Sequence, residues 1–416
     1  MGRVAAARGG GRRTGAATSR PAVRGPRTSG APWRLFAACH DGEYRHRLAG
    51  FRDNEHQRRR VNGARSLSAS VISARLRSQL LSGQQASSPE KVVERVLAIQ
   101  AQDGRGARLA IRSRSSGLSA VDVDRALSRD RTLVVSWLNR GTLHLVRSED
   151  YWWLRQLTAG RQSMGSERRL RQEGVEASDA VRGVALIAKA VADDGPQTRE
   201  QLRRRLEAAR VPTAGQALVH ILGVASAQGV VVRGPVVGAE QAFVGVDQWL
   251  GPAPPAVDHD GALARLARRY LDGHAPAGPD DLAKCAGVPL RDARAGFLAI
   301  DTELVATGDG LMGVAAPVES PLPGPRLLGA FDSLLHGWAA REPFVGRHTG
   351  VVTTNGIFRP VALVRGRVVA TWALPGGRLT VAPLEPLTTR DRRALAEDGA
   401  DVLRFLGLPQ NPVRFD

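Results

Sequence analysis

Two short polar clusters carry residues able to do chemistry. The first is Gln100-Ala101-Gln102-Asp103. Gln100 lies four residues after Val96 and seven after Val93, so a continuing helix would place it on an apolar stripe. A carboxamide buried there without partners costs on the order of 1–3 kcal/mol. Side chains two apart share a side only in extended backbone. Both glutamines therefore face one site only if the helix has ended, and Gly104 is the expected C-terminal stop. The competing reading is a helix-end polar pair that bonds its own backbone. The second cluster is Arg140-Gly141-Thr142-Leu143-His144. Arg140 and His144 flank a tight turn and a short strand, as a wing touching phosphate requires; a strand histidine with a backbone partner is the alternative for His144. Arg105, Arg108, Arg112 and Arg114 follow the glutamines. Arg108 and Arg112 are one turn apart, which suits a helix face tracking a phosphate backbone and equally a solvated basic face. Thr142 and Arg233 complete the candidate phosphate contacts.

The elements that must position these residues start near Leu67. Ser88-Pro89-Glu90 predicts a helix start, with Val92, Val93, Val96, Leu97 and Ile99 as its apolar stripe. Ser119 with Asp122 reads as a capping box opening a helix through Leu127. Thr132 to Val146 reads as strand, and Ser148-Glu149-Asp150 opens a helix carrying Trp152 and Trp153. Helices followed by a short strand pair describe a winged helix-turn-helix, and the pattern recurs. Helices over Val181 to Val191, after Thr198 and over Gln216 to Ala227 lead to two strands in Val230 to Val246 around a Gly234-Pro235…Gly238 turn. A weaker third copy begins at Leu263 and ends in strands near Leu304 and Leu311. Beyond Pro317 the chain turns β-rich, with turns at Asn355-Gly356, Arg365-Gly366 and Gly376-Gly377 and a last helix from about Arg390 to Leu406. The expected domains are an Arg/Gly-rich disordered extension at 1–65, winged-helix units at 66–175, 176–255 and 256–318, and a β module at 319–416. The fold class is α+β.

Composition narrows the function. No apolar run nears the ~18 residues that span a bilayer, and Cys39 and Cys285 form neither a disulfide scaffold nor a CxxC metal site. The nine histidines lack metal spacing, and no HExxH, Walker A, GxSxG or strand-following GxGxxG occurs. An enzyme built on this chain works without a cofactor. Net charge is +19, from 59 basic and 40 acidic residues. All but Lys91, Lys189 and Lys284 of the basic residues are arginine, which with abundant Ala, Gly and Val points to a G+C-rich bacterial genome. Residues 1–60 carry +10 and the remainder +9. The excess over acids favours a polyanion as partner. The opening segment lacks the apolar core of a secretory signal, so a cytoplasmic location is expected.

Taken with their order in the chain, these motifs resemble the AlkZ/YcaQ-type winged-helix DNA glycosylases. The likeness runs from about Leu67 to Leu408. It includes Gln100-Ala101-Gln102-Asp103, Arg140 to His144, Gly215-Gln216-Ala217-Leu218-Val219-His220, Arg269-Tyr270-Leu271, Phe331-Asp332, Asn355-Gly356 through Pro360, and Arg404-Phe405-Leu406-Gly407. The resemblance implies three tandem winged-helix units in a C shape around DNA, with a C-terminal β-rich module. It also implies a catalytic Q-apolar-Q motif, here Gln100-Ala101-Gln102, of the AlkZ branch. Its members excise bulky N-alkylated purines and unhook interstrand crosslinks, and some protect producers of genotoxic natural products. The expected partner is double-stranded DNA carrying alkylated purines, bound by a monomer with no metal, nucleotide cofactor or membrane. Two departures stand out: Arg147 where the family has a proline after the Thr-Leu-His segment, and Cys285 where it has an aromatic. The first bears on DNA contacts and the second on core packing.

The implied mechanism suits neutral amides. N7-alkylation makes a purine cationic and a good leaving group. Glutamine takes up no proton at useful pH, but it orients water and directs its dipole at developing charge. Gln102 would orient the water, Gln100 would fix it or contact the sugar, and Asp103 is a weaker electrostatic candidate. Asp332 is matched to the family without a role. The rival is a winged-helix DNA binder or transcription regulator without catalysis, for which Gln102 would matter little; a protein-interaction scaffold predicts weak, salt-insensitive DNA binding.

Overall fold

The computed structural model describes residues 67–237, 240–307, 310–316, 318 and 321–416. The expected disordered extension at 1–65 lies outside the described residues. Helix α1 (Ala69–Ser78) is capped by Ser68, whose hydroxyl accepts the Val71 N–H. In α2 (Pro89–Val96) Ser88 accepts the Lys91 N–H, Pro89 takes the first turn, and Val92, Val93 and Val96 are buried. The helix ends at Leu97, which adopts a left-handed φ of 65°. Extended backbone follows as β1 (Ile99–Gln100). Gly104 is thus not the expected stop but the first residue of α3 (Gly104–Arg112), capped by Asp103. A carboxylate accepting a backbone N–H at a helix N-terminus outweighs glycine's weak helix preference there.

Helix α4 (Ala120–Ser128) opens with the Asp122 carboxylate accepting both the Ser119 N–H and hydroxyl. Next come β2 (Leu133–Trp137), a 3-10 turn at Asn139–Gly141, β3 (Leu143–Arg147) and α5 (Tyr151–Gln172). A second group contains α6 (Ala177–Asp194), α7 (Arg199–Ala208), α8 (Ala217–Ala227), β4 (Val231–Val237), β5 (Glu240–Gly245) and the short α9 (Val246–Leu250). Gly234-Pro235 is not the hairpin turn. It lies inside β4 at a register shift between Arg233 and Val236, where a proline without N–H costs no ladder bond. The chain reverses after Val237, and the expected turn residue Gly238 is outside the described residues. A third group holds α10 (His259–His274), α11 (Pro279–Ala286), α12 (Leu290–Ala299), β6 (Val305–Ala306) and β7 (Met312–Gly313).

The C-terminal part contains β8 (Arg326–Leu328), α13 (Glu342–Val345), β9 (Val361–Val364), β10 (Arg367–Ala373), β11 (Thr380–Pro383), α14 (Thr389–Phe405) and β12 (Arg414–Phe415). Arg365 and Gly366, both at positive φ, make the β9–β10 turn. At Asn355-Gly356 the chain reverses through one Val352–Phe358 bridge rather than a full hairpin.

The strand pairs of the first two groups do not stand apart. They join in one sheet ordered β1-β3-β2-β4-β5, through Val135 of β2 beside Arg233 of β4. Alternate residues face opposite cores. Val134, Val146, Val232 and Val244 pack with Tyr270, Phe297 and Trp338; Leu133, Val135, Leu145 and Ile99 pack with Leu327, Trp372 and Phe405. Each fully buried large apolar side chain contributes about 1.5–3 kcal/mol. The β1–β3 edge is thereby clamped between the third group and the C-terminal sheet β12-β11-β10-β9-β8.

Candidate active site

Antiparallel pairing of β1 with β3 brings the two polar clusters together. Gln100 pairs with His144 and Ile99 with Leu145, and the Ala101 N–H donates to the Leu143 carbonyl at 2.7 Å. Gln100 is 6% exposed, and its Oε1 accepts Arg140 Nη2 at 2.9 Å. Gln102 is exposed, and its Oε1 accepts the Leu143 N–H at 2.9 Å. A guanidinium and a backbone N–H are donors only, so chemistry fixes which end of each carboxamide faces them. Among the described residues, each glutamine keeps a second lone pair on its oxygen and an NH2 without a partner. The strand ends at Gln100, and Gln102 follows in a bend where its carboxamide meets the Leu143 N–H, next to the Gln100–His144 pair. Asp103 is engaged locally: its carboxylate accepts the Gly106 N–H and caps α3.

Besides the Arg140 guanidinium, the surroundings include two imidazoles, one buried and one half-buried. His144 is 2% exposed, with Nδ1 3.0 Å from the Thr142 carbonyl. Burial, reinforced by the Arg140 charge, pushes its pKa well below the ordinary histidine value. His336, 2.8 Å from the Phe331 carbonyl, is pushed down to about 4 by burial and then by Arg140. Both imidazoles are neutral at pH 7. His336 packs edge-on against Phe358 at 5.4 Å, and Phe331 lies 5.8 Å from Phe358. Asp332 anchors this segment. Fully buried, it accepts both Nη groups of the equally buried Arg114, at 2.8 and 2.9 Å, and Arg114 also donates to Gln79 Oε1. Gly106 lets α3 approach that segment, since a Cβ there would lie 2.4 Å from the Ala330 carbonyl oxygen. Sequence reasoning matched Phe331-Asp332 and Phe358-Arg359-Pro360 as motifs but did not find His336 or Gln79; only the tertiary contacts bring them in. Among the described residues no group of three His, Cys, Asp or Glu converges to hold a metal.

Residues 93–405, which contain both clusters, match the family model of AlkZ-like DNA glycosylases. The chain belongs to this family. It is an α+β DNA glycosylase. A curated relative, the interstrand DNA cross-link repair glycosylase of Streptomyces sahachiroi, is 26% identical over 375 residues, spanning 83% of this chain and 98% of the relative. The solved structure of Streptomyces sahachiroi DNA glycosylase AlkZ superposes with a TM-score of 0.68 at 24% identity, over 84% of this chain and 99% of that one.

For an AlkZ-like glycosylase the sequence nominated a row of DNA contacts, and the structure gives most of them other partners. Arg112 is 4% exposed and donates to Asp398, Asp401 and the Leu327 carbonyl, tying α3 to α14 and β8; phosphate cannot reach it. Arg108 donates to Asp124 and to the Gly104 carbonyl, so its charge is balanced locally. Arg140 donates to Gln100 and Cys285 rather than projecting from a wing. His144 is the strand histidine with a backbone partner, neutral and sealed from phosphate. The Thr142 hydroxyl donates to the Asn139 carbonyl. Arg233 lies 4.0 Å over Phe243, donates to the Gln241 carbonyl, and is pushed down to about 10 by burial. Arg105 is exposed, with no ion pair or hydrogen bond among the described residues. Arg147 pairs with Glu94 at 2.6 Å and with Glu149. Cys285 supplies its carbonyl to Arg140 while its thiol, driven up to about 11 by burial, stays protonated.

Proposed function

We propose that this chain hydrolyses the N-glycosidic bond of bulky N7-alkylated purines in duplex DNA and unhooks interstrand crosslinks; the Streptomyces relative is named an interstrand DNA cross-link repair glycosylase. In a producer of a DNA-alkylating natural product the same activity would give self-resistance. The observation that carries the reading is the pair of carboxamides at one sheet edge, each with its oxygen held by an obligate donor. Alkylation has already made the base a good leaving group. The protein must position a water and stabilise an oxocarbenium-like sugar, which needs preorganised dipoles rather than a strong nucleophile. Gln102 orients the water through its second lone pair, and the Leu143 N–H stops the amide from turning. Gln100 fixes that water or the sugar through its NH2. Asp103 contributes at most the field of a capping carboxylate. Neutral His144 and His336 add no positive charge near a cationic transition state. An exposed Gln102 suits a crosslinked base, which cannot swing into a closed pocket. Arg105 is the retained phosphate contact. The working form is a cytoplasmic monomer bound to DNA without cofactor or metal.

The test is release of free base from duplexes carrying one N7-alkylguanine, a bulky adduct or a defined crosslink, with binding measured in parallel. Release of the base with an abasic site left behind is expected. Binding without release across all three substrates would leave a non-catalytic DNA binder.

A further inference from the structure

Arg140 stands between the glutamine site and the third helix group. Its backbone is left-handed, with φ 55° and ψ 14°, a conformation few non-glycine residues adopt. Its Nη1 donates to the Cys285 carbonyl near the end of α11, and its Nη2 to Gln100 Oε1 at 2.9 Å. Gly287 makes room for it: that residue sits at φ 74°, and a Cβ there would lie 2.8 Å from the Arg140 nitrogen and 2.9 Å from its Cγ. Two elements far apart in the chain, the β1 edge and the α11 terminus, therefore meet through one guanidinium.

We infer that Arg140 is a positioning residue for the glycosylase reaction: braced on the Cys285 carbonyl, it holds the Gln100 oxygen inward and turns the Gln100 NH2 toward the substrate as a donor. Without the brace the Gln100 carboxamide has no obligate donor and its two ends interchange. With it, the amide is oriented before DNA arrives, and the cation polarises it so that its NH2 donates more strongly. The planar fork matters because one arm holds the carbonyl while the other holds the amide; lysine has no such fork. Two of its five N–H donors are committed to these internal acceptors, which sets the positioning role against that of a free phosphate contact. The inference rests on Gln100 acting in catalysis.

The test uses the full chain with Arg140→Ala, Arg140→Lys and Gln100→Glu, checked for folding by thermal unfolding. Three readouts are taken: single-turnover base release from an N7-alkylguanine duplex, the salt dependence of DNA affinity, and the side-chain amide signals of 15N-glutamine-labelled protein. The Gln100 signal is assigned by its loss in Gln100→Ala. Arg140→Ala should shift the Gln100 amide signal and slow release roughly 10- to 100-fold, with the slope of log Kd against log salt unchanged. Arg140→Lys should recover only part of that loss. Gln100→Glu keeps an oxygen facing Arg140 but replaces the outward donor, so release should fall as far as in Gln100→Ala. An unmoved Gln100 signal in Arg140→Ala would overturn the inference. So would a salt slope lowered by about one with normal release from bound DNA, or full activity in Gln100→Glu. If the wild type releases no base, the catalytic reading fails, and the amide signal alone decides whether Arg140 orients Gln100.

Discussion

Strand β1 and helix α3 are separated by three residues, yet they treat their polar groups in opposite ways. The strand and the bend after it carry neutral amides to a sheet edge, Gln100 buried and Gln102 exposed. The helix and the residue two beyond it pair their arginines internally: Arg108 with Asp124 near the surface, and the buried Arg112 and Arg114 with Asp398 and Asp401, and with Asp332. A basic run is therefore a poor guide to a nucleic-acid face. The guanidinium has five donors in a rigid fork and a long apolar stem, which suit it to bidentate internal pairs as well as to phosphate. Here two of these arginines, Arg112 and Arg114, bolt the site to the C-terminal part while Arg108 is balanced within the first group, and the glutamine edge presents neutral amides.

Changes to each region should break this contrast in different currencies. The largest effect belongs to Arg114→Ala. It strands a fully buried carboxylate at Asp332 and should cost about 3–5 kcal/mol of stability by urea unfolding. A midpoint near wild type would show that the pair is not what holds Phe331 and His336 beside the glutamines.

Acid should act on the same core more gradually. Burial holds His274 at about 3, against an ordinary value of 6.5, so between these limits the unfolded chain binds a proton that the native state refuses. Stability is intact above pH 6.5 and should fall by about 1.4 kcal/mol per pH unit on acidification. His336, at about 4, adds to the slope over a narrower window. Replacing His274 with asparagine should flatten the urea-midpoint profile between pH 6 and 4; an unchanged profile would contradict the assignment.

The smallest effect on folding, and a useful contrast, is at Arg105. Arg105→Ala should change stability by no more than about 0.5 kcal/mol while lowering the salt slope of DNA binding by about 0.9. Arg112→Ala should do the reverse, losing stability through Asp398 and Asp401 with the salt slope unmoved. A lowered slope in Arg112→Ala would restore the helix face as a DNA contact.

Local chemistry was legible in the sequence. Ser88-Pro89, Thr198 and Ser119 with Asp122 open the helices they predict, and Arg365-Gly366 turns the strands it predicts. Long-range pairing was not. The β2–β4 junction joins residues nearly a hundred positions apart, and the parallel β12 joins β11 after a whole helix, with no periodicity to announce either. For the same reason the arginine run looked free: Asp332, Asp398 and Asp401 are more than two hundred residues away. Gly104 misled because a glycine after an apolar stripe suggests a stop, while the Asp103 cap that made it a start depends on a helix ending earlier. Gln100 stood out because an amide on an apolar stripe conflicts with burial, and Gln102 because it follows two residues later in the Q-apolar-Q pattern. Arg140 and His144 were picked out too, but with a wing's role in place of their contacts to Gln100 and the Thr142 carbonyl.

The central claim is that neutral amides at an open strand edge do the chemistry. Single-turnover release from an N7-alkylguanine duplex, with Kd measured on the same preparation, tests it most directly in wild type and Gln102→Ala. Release should fall roughly 10²- to 10³-fold in the variant, with Kd and the urea midpoint unchanged. Undiminished release in Gln102→Ala, or a loss fully accounted for by weaker DNA binding, would contradict it.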